Sequence, residues 1–418
     1  MAFYKDKVLR KNFSYLFLLQ IANYIIPLFL FPYLGRVLGT ENFGKIMFAQ
    51  AVIAYFVLFT DFGFNVSSTK EIADALGDKQ KISDTFWNTM LAKSLFLLAS
   101  LIVFMPIVYS FERFNNEHLL FIISFINVLS SVLLPLWLFQ GLEKMGLIVA
   151  VNTIPRILMC LATVYFVKTE KDYNLALLIQ VLANLVSALL SLIIVFQLKL
   201  VNFIKPSFQK AKMQIKNGWH IFATSLSSNL YTTTNTVVLG LLVGDIAVGI
   251  YSASDKIIRA IIGILSSITQ VIFPRVNVYY NESKQKSISF IKQIIKLVSI
   301  ACIIIGVIIY FSADQIIMLL FKGGDFKNSV KVLQYSVLLP LFSVVNGIIA
   351  INIFITFGLK KNLLQIVFIG CLFSLICISP LVLYFKEIGA VICATITEIV
   401  IFVLLIGFIT KKKLISYA

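Results

Sequence analysis

Long apolar runs separated by short polar connectors dominate the chain from Phe13 onward. They recur near residues 13–34, 43–65, 86–108, 119–140, 145–167, 174–196, 219–242, 246–274, 294–313, 330–357, 363–385 and 388–410, and each is near or above the ~20 residues with which a helix crosses hydrocarbon. Backbone polar groups in lipid must pair within a segment or around a closed barrel. The runs are too long and continuous for the roughly ten-residue alternating strands of a barrel. The pattern therefore predicts an all-α polytopic membrane protein with twelve transmembrane helices. No small-residue cleavage site follows the first apolar run, so it reads as a retained span.

Composition narrows the function. The 418 residues are 59% hydrophobic and 13% charged, with mean hydropathy +0.94, whereas soluble domains are about half apolar and a quarter charged. Twelve spans leave little chain for a folded enzyme domain outside the bilayer. The 36 Lys and Arg against 19 Asp and Glu give +17, a balance that in a soluble protein points to nucleic acid. Here placement explains it. With the N-terminus in the cytoplasm, 22 bases fall on that side and 8 on the other, which predicts cytoplasmic termini and an even number of spans and requires no nucleic-acid partner.

Cys160, Cys302, Cys371, Cys377 and Cys393 are scattered through apolar runs without C-x-x-C spacing, and His118 and His220 belong to no H-E-x-x-H pattern. Neither disulfides nor a metal site is expected. The phosphate-loop motif, D-x-D and paired loop carboxylates are all missing from the sequence, so no residue is assigned a catalytic role and a transporter is expected rather than an enzyme.

The basic connector at 199–218 falls almost halfway along and separates six runs from six. It predicts an N-terminal lobe at 1–198, a cytoplasmic linker at 199–218 and a C-terminal lobe at 219–418. Gly35, Gly39 and Gly44 share their spacing with Gly240, Gly244 and Gly249 at an offset of 205 residues, and QGLEK at 140–144 is echoed by FGLKK at 357–361. Two pseudo-symmetric six-helix lobes are the arrangement a rocking transporter needs. The plainer alternative is a bundle whose halves only record a duplication.

Charges inside spans are the candidates for chemistry, because each costs about 2.5–3.5 kcal/mol at mid-bilayer unless it faces a partner, a cavity or the interface. Arg156 lies deep in the fifth run and Lys93 nearer the start of the third, where snorkelling is an alternative to a cavity role. In SASDKIIRAI, Asp255 and Arg259 are spaced to pair on one helix face. Lys256 then leaves surplus positive charge for an anion, although a self-compensating pair that aids insertion is the bland reading. Asp61, Asp255 and Glu398 are the acids near or inside hydrocarbon, and such a carboxylate is a candidate relay for a coupling proton.

The first run contains NYIIPLFLFPY, with Asn23, Tyr24, Pro27 and Pro32; the seventh contains SLSSNLYTTTNT, with Asn229, Tyr231 and Asn235. So many adjacent polar side chains on the seventh favour a hydrated wall able to hydrogen-bond a sugar. Asn127, Gln140, Asn152, Gln180, Asn184, Gln270, Asn346 and Asn352 are individually more typical of helix packing than of ligand contact.

The opening block from Asn12 to Gln50, the Asp61-Phe62-Gly63 phrase and the stretch from Pro135 to Gly141 resemble bacterial O-antigen flippases of the Wzx type. These are polysaccharide transporters of the multidrug/oligosaccharidyl-lipid/polysaccharide exporter superfamily. The resemblance implies the MATE/MOP transporter fold and residence in the bacterial inner membrane. It implies movement of an undecaprenyl-diphosphate-linked O-antigen repeat unit to the periplasmic leaflet by alternating access, in support of lipopolysaccharide biosynthesis.

On that resemblance, Arg156, Lys256, Arg259 and Lys93 are candidates for a cationic lining, while Asp61, Asp255 and Glu398 are candidates for coupling to a proton or sodium gradient. No bound cofactor is implied. Membrane lipids, an O-antigen polymerase and a chain-length regulator are the candidate partners beside the lipid-linked oligosaccharide. A cation-coupled multidrug antiporter of the same superfamily is the alternative.

Overall fold

A computed structural model describes the backbone of residues 7–412 and, Gln270 excepted, the side chains from Ile26 onward. The side chains of Asn23, Tyr24 and Gln270 and the terminal bases Lys5 and Lys413 lie outside the described residues. The described residues form helices and turns with no strand, as the period of the apolar runs requires.

In chain order the helices are α1 (Lys7–Asp61), α2 (Phe64–Asp74), α3 (Lys79–Ser110), α4 (Glu112–Asn115), α5 (His118–Leu133), α6 (Leu136–Gly141) and α7 (Met145–Phe166). There follow α8 (Tyr173–Gln197), α9 (Phe208–Leu242), α10 (Asp245–Glu282), α11 (Lys284–Phe321), α12 (Ser329–Tyr335), α13 (Leu339–Ile349) and α14 (Lys360–Lys411). A π-helical turn at Ala350–Ile355 continues α13.

Among the described residues, eight helices are long and apolar enough to cross a membrane, or nine if the pair that bends by 47° between Tyr335 and Leu339 forms one span. The difference from twelve has a geometric cause. Helices α1 and α14 are each two helices joined across one non-helical residue, Gly39 (φ 74°, ψ 174°) and Lys386 (φ 50°, ψ −128°). Helix α9, with its run of Ser, Thr and Asn, falls outside the apolar group. Divided at those breaks and with α9 included, the helices follow the apolar runs of the sequence, with ends displaced by several residues.

The chain forms two compact units: residues 7–26 with Ala49–Leu226, and Pro27–Phe48 with residues 227–412. It changes unit twice within α1 and once within α9.

In the first unit, α5 and α7 pack on α8, and α2 packs on α6. Phe86, Trp137, Phe139, Ile148 and Val195 form one buried group, and Phe62, Phe64, Ala92 and Phe222 form another. Phe62 is stacked between Phe96 (4.6 Å) and Phe222 (4.3 Å). The basic segment before α9 is fastened to this unit by neutral and carboxylate groups more than by its lysines. The Asn202 amide donates to Ser83 Oγ (2.8 Å), the Ser207 amide to Asn88 Oδ1 (2.8 Å), and Gln214 and Asn217 donate to Glu71 at 2.6 and 2.9 Å. The exposed Lys210–Asp84 pair at 2.7 Å adds little, because solvent screens it.

In the second unit, Val344, Val345, Ile348, Ile349, Ile353 and Phe354 fill the core against α10, α11 and α14. The 205-residue echo becomes a contact here. Gly39 and Gly244 both adopt positive φ with extended ψ (113° and −176° at Gly244), a conformation open to glycine and costly for other residues. The first helical turns that follow them then meet reciprocally: a Cβ on Gly44 would fall on the Asp245 carbonyl, and a Cβ on Gly249 would fall on the Thr40 carbonyl. Since Thr40 and Asp245 are themselves 205 apart, the contact has local two-fold symmetry. Arg36, beside it, donates from Nε to the Leu320 carbonyl at 2.6 Å and from Nη2 to the Leu319 carbonyl. It thereby satisfies carbonyls that the end of α11 leaves without intrahelical partners.

A backbone carbonyl cannot turn aside as a side chain can, so Gly249→Ala is expected to cost about 1–3 kcal/mol through overpacking. Gly407→Ala, whose added methyl meets nothing within 4 Å, is expected to leave stability unchanged or raised. Thermal unfolding of the two purified variants in detergent checks this; equal midpoints would refute the close approach.

Candidate functional site

The sequence-predicted residues separate into local clusters, one group in each unit. In the first, α1 ends at Asp61, and Phe62 (φ 39°) and Gly63 (φ 78°) turn the chain before α2 begins. Lys93 of α3 donates to Asp61 Oδ1 at 3.0 Å and to the Ser131 carbonyl at 2.9 Å, while Asn65 donates to Asp61 Oδ2. The Lys93 side chain is 1% exposed and that of Asp61 28%. Lys93 is therefore directed into the helix packing, its charge balanced by one carboxylate and one carbonyl.

The D-F-G phrase builds a helix break whose acid is held by a lysine from α3. Arg156 is also in this unit, half-buried on α7 after the helix proline Pro155.

In the second unit, α9 supplies Tyr231, Thr232 and Asn235; α10 supplies Tyr251, Asp255, Lys256 and Arg259; α13 and the π turn supply Asn346 and Asn352; and α14 supplies Glu398. Arg259 Nε donates to Asp255 Oδ2 at 2.6 Å across one helical turn, and Nη2 donates to the Thr232 carbonyl at 3.2 Å. The Tyr251 hydroxyl donates to the other Asp255 oxygen at 3.3 Å. Asp255 is thus engaged at both oxygens and 11% exposed, whereas 40% of the Arg259 side chain is accessible. A guanidinium carries five N–H donors, and the two hydrogen bonds described leave donor capacity for an anion. Lys256 projects differently: its Nζ lies 4.5 Å from the centre of the Phe31 ring, a cation–π contact. One carboxylate faces two bases on this stretch of α10.

Glu398 is buried. Its Oε2 accepts from Asn346 Nδ2 at 2.7 Å, its backbone carbonyl accepts from the same nitrogen at 2.9 Å, and the Tyr231 hydroxyl reaches Oε1 at 3.5 Å. Tyr231 and Thr232 are adjacent on α9, so neighbouring residues touch the Glu398 and Arg259 groups. The three amides on α9 and α13 that the sequence raised do different things. Asn229 is exposed, Asn346 holds Glu398, and Asn235 is fully buried with neither amide atom hydrogen-bonded. Asn352 is likewise buried with both amide atoms unpartnered. Such atoms are places where water, a cation or a ligand hydroxyl fits.

Other polar residues are packing contacts: Asn184 donates to Asn127 at 2.9 Å and Gln50 to Gln180 at 3.2 Å. Sequence reasoning missed Phe31 beneath Lys256 and Arg36 as a helix cap, and no local signal announces partners more than 200 residues away. Among the described residues no group of three His, Cys, Asp or Glu is placed to hold a metal ion, and the five cysteines are unbridged.

These helices, with charged and amide clusters inside their spans, define a multi-pass membrane protein. The chain matches the family described as "Polysaccharide biosynthesis protein" over residues 9–280. A protein of Escherichia coli (strain K12) named "Putative O-antigen transporter" is 32% identical over 408 residues, covering 97% of this chain and 98% of that protein. Its namesake in Shigella dysenteriae is 30% identical over 398 residues, with 94% and 98% covered. The chain belongs to the polysaccharide biosynthesis protein family, in agreement with the resemblance carried by its opening block.

Among solved structures, the lipid II flippase MurJ in its inward closed conformation aligns with a TM-score of 0.77 at 14% identity, over 94% of this chain and 87% of that one. An inward-facing multidrug resistance MATE family transporter of the MOP superfamily aligns at 0.69 and 16%, over 94% and 95%. At these identities they establish a common fold.

Removing Lys93 leaves Asp61 as an unbalanced, largely buried charge, so Lys93→Gln is expected to destabilise by about 1–3 kcal/mol. The double variant Asp61→Asn with Lys93→Gln is expected to lose less than the sum of the single changes. A double-mutant cycle on unfolding midpoints in detergent measures the coupling, and strict additivity would contradict the pair.

Proposed function

We propose that the chain is a transporter that moves undecaprenyl-diphosphate-linked O-antigen repeat units from the cytoplasmic to the periplasmic leaflet of a bacterial inner membrane by alternating access, with both termini cytoplasmic. The near full-length relationship to proteins named as O-antigen transporters supports the cargo class. The observation that carries the mechanism is Arg259, 40% of whose side chain stays accessible beside an Asp255 already engaged at both oxygens.

A diphosphate and its sugars cannot enter hydrocarbon unshielded, whereas an isoprenoid tail can stay there. Arg259 offers the diphosphate a charged, directional donor set. Lys256 adds charge from above the Phe31 ring, and the amides of Asn229 and Asn235 are suited to sugar hydroxyls. Arg156 is a further candidate for the cationic lining. Capture must be moderate, because equal affinity in both states shifts no conformational equilibrium.

Glu398 is the candidate coupling group for a proton or sodium gradient, since Tyr231 and Asn346 can satisfy it while its charge changes. Asp61 and Asp255 are already tied to bases and are weaker candidates. The second reading, a cation-coupled multidrug antiporter, is favoured by that same buried acid. An O-antigen polymerase and a chain-length regulator are the proposed protein partners.

Reconstitution with labelled lipid-linked repeat units, read by leaflet exposure, tests this. Arg259→Gln is expected to slow translocation roughly ten- to a hundredfold, the scale of one charge-assisted phosphate contact, and Arg259→Lys to recover part of it. Wild-type rates in Arg259→Gln and Lys256→Gln at equal membrane abundance would contradict the electrostatic role. Glu398→Gln is expected to remove the response to an imposed pH or sodium gradient, and an unchanged response would remove it as the coupling group. Drug efflux without headgroup translocation would favour the antiporter.

A further inference from the structure

Away from those clusters, the turn between α10 and α11 concentrates positive charge on aromatic supports. Only Ser283 separates the two helices, both of which are long and apolar enough to cross a membrane, so the turn sits at a membrane surface. Residues 275–293 and 357–361 contain six bases and one acid, Glu282. The Arg275 guanidinium carbon lies 4.8 Å from the Tyr279 ring centre, with Nη2 donating to the Tyr279 hydroxyl at 2.7 Å, while Lys286 Nζ lies 4.9 Å from the same ring. One ring therefore holds two cations. Lys284 Nζ lies 5.3 Å from the Phe357 ring, which itself stacks on Tyr280 at 4.6 Å. That stacking brings the segment containing Lys360 and Lys361 to the same surface.

Of these six bases only Lys286 has a carboxylate at ion-pair distance among the described residues, Glu282 at 2.5 Å. Arg275, Lys284, Lys360 and Lys361 are exposed and form no ion pair among the described residues. Beside Tyr279 and Lys286 an open depression of about 460 Å³ is lined by Ser283, Gln285, Ser289 and Gln293, all able to donate to phosphoryl oxygens, and by no acid. Cations held over rings with few counter-charges are a poor arrangement for solvated surface pairs and a good one for an external anion. Lipid lies within reach, since Val271 and Val278 are exposed on α10 just before the turn.

We propose that this depression binds the phosphate headgroup of an anionic phospholipid. Lys286 in the lining of the depression, Arg275 on the same Tyr279 ring and Lys284 over the neighbouring Phe357 ring balance the headgroup charge, Ser283 and Ser289 hydrogen-bond the phosphoryl oxygens, and the acyl chains lie along the apolar faces of α10 and α11. The assignment does not depend on what the protein transports. It describes a lipid that holds this end of the second unit at the membrane surface, a role general to basic pockets at the ends of spans.

The test is a titration of the full chain in neutral detergent with phosphatidylglycerol or phosphatidylcholine, read by native mass spectrometry of the bound lipid. A retained phosphatidylglycerol is expected, bound at least about tenfold more weakly by the triple variant Arg275→Gln, Lys284→Gln, Lys286→Gln. Two comparators keep the result independent of folding: Lys284→Arg with Lys286→Arg is expected to keep the lipid, and so is Lys199→Gln with Lys205→Gln and Lys212→Gln in the first unit. Equal retention of phosphatidylcholine, equal loss in the Lys199 series, or displacement of the lipid by inorganic phosphate alone would overturn the assignment.

Discussion

Hydrocarbon accepts an ionisable side chain only with a partner, a hydrogen-bonding cage or water beside it, and that constraint organises the interior of this protein. Lys93 meets it with Asp61 and a carbonyl. Glu398 meets it with an asparagine and a tyrosine. On α10 the partners run short: Asp255 has both oxygens engaged, Lys256 rests on a ring, and Arg259 keeps much of its side chain accessible. The surplus is a feature of the spans that packing alone gives no reason to retain, because removing Lys256 would leave the Asp255–Arg259 pair intact and lower the cost of burial. Functional chemistry is expected where the chain tolerates that cost.

The backbone holds this arrangement through close contacts between distant segments. Gly44 and Gly249 let two helix starts touch carbonyl to Cα across a local two-fold, and Arg36 closes the end of α11 from a position 284 residues earlier. Both contacts lie within the unit that carries Arg259, so α1 helps to fix the helices that present the charge. Phe31 makes the link chemical as well, since a ring from α1 supports the Lys256 ammonium.

Much of the fold was legible because the bilayer imposes a long, unambiguous period. The apolar runs predicted the helices, and the glycine echo at 205 residues located two helix starts that prove to be in contact. Helix division was less legible. Gly39 and Lys386 each separate two helices by a single non-helical residue, so counting continuous helices and counting apolar runs differ. In the site, spacing four apart was enough for the Asp255–Arg259 pair, a purely local geometry. The Lys93–Asp61 pair, the Asn346 bond to Glu398 and the Phe31 support link residues far apart in sequence, and nothing in local composition specifies which helices meet. Asn229, Tyr231 and Asn235 share one polar stretch of α9, yet one is exposed, one bonds an acid and one is buried. Helix rotation decides that, and periodicity is blurred where nearly every residue is polar.

Thiol reactivity tests most directly whether the charge on α10 is both positive and reachable. Asn229 is exposed and lies one turn before Thr232, whose carbonyl accepts from Arg259. With the five native cysteines replaced, Asn229→Cys is expected to react faster with an anionic methanethiosulfonate than with a cationic one of similar size. The preference should disappear when Arg259 and Lys256 are both replaced by Gln. A cationic preference, or an anionic preference that survives loss of both bases, would contradict the surplus charge from which the mechanism is built.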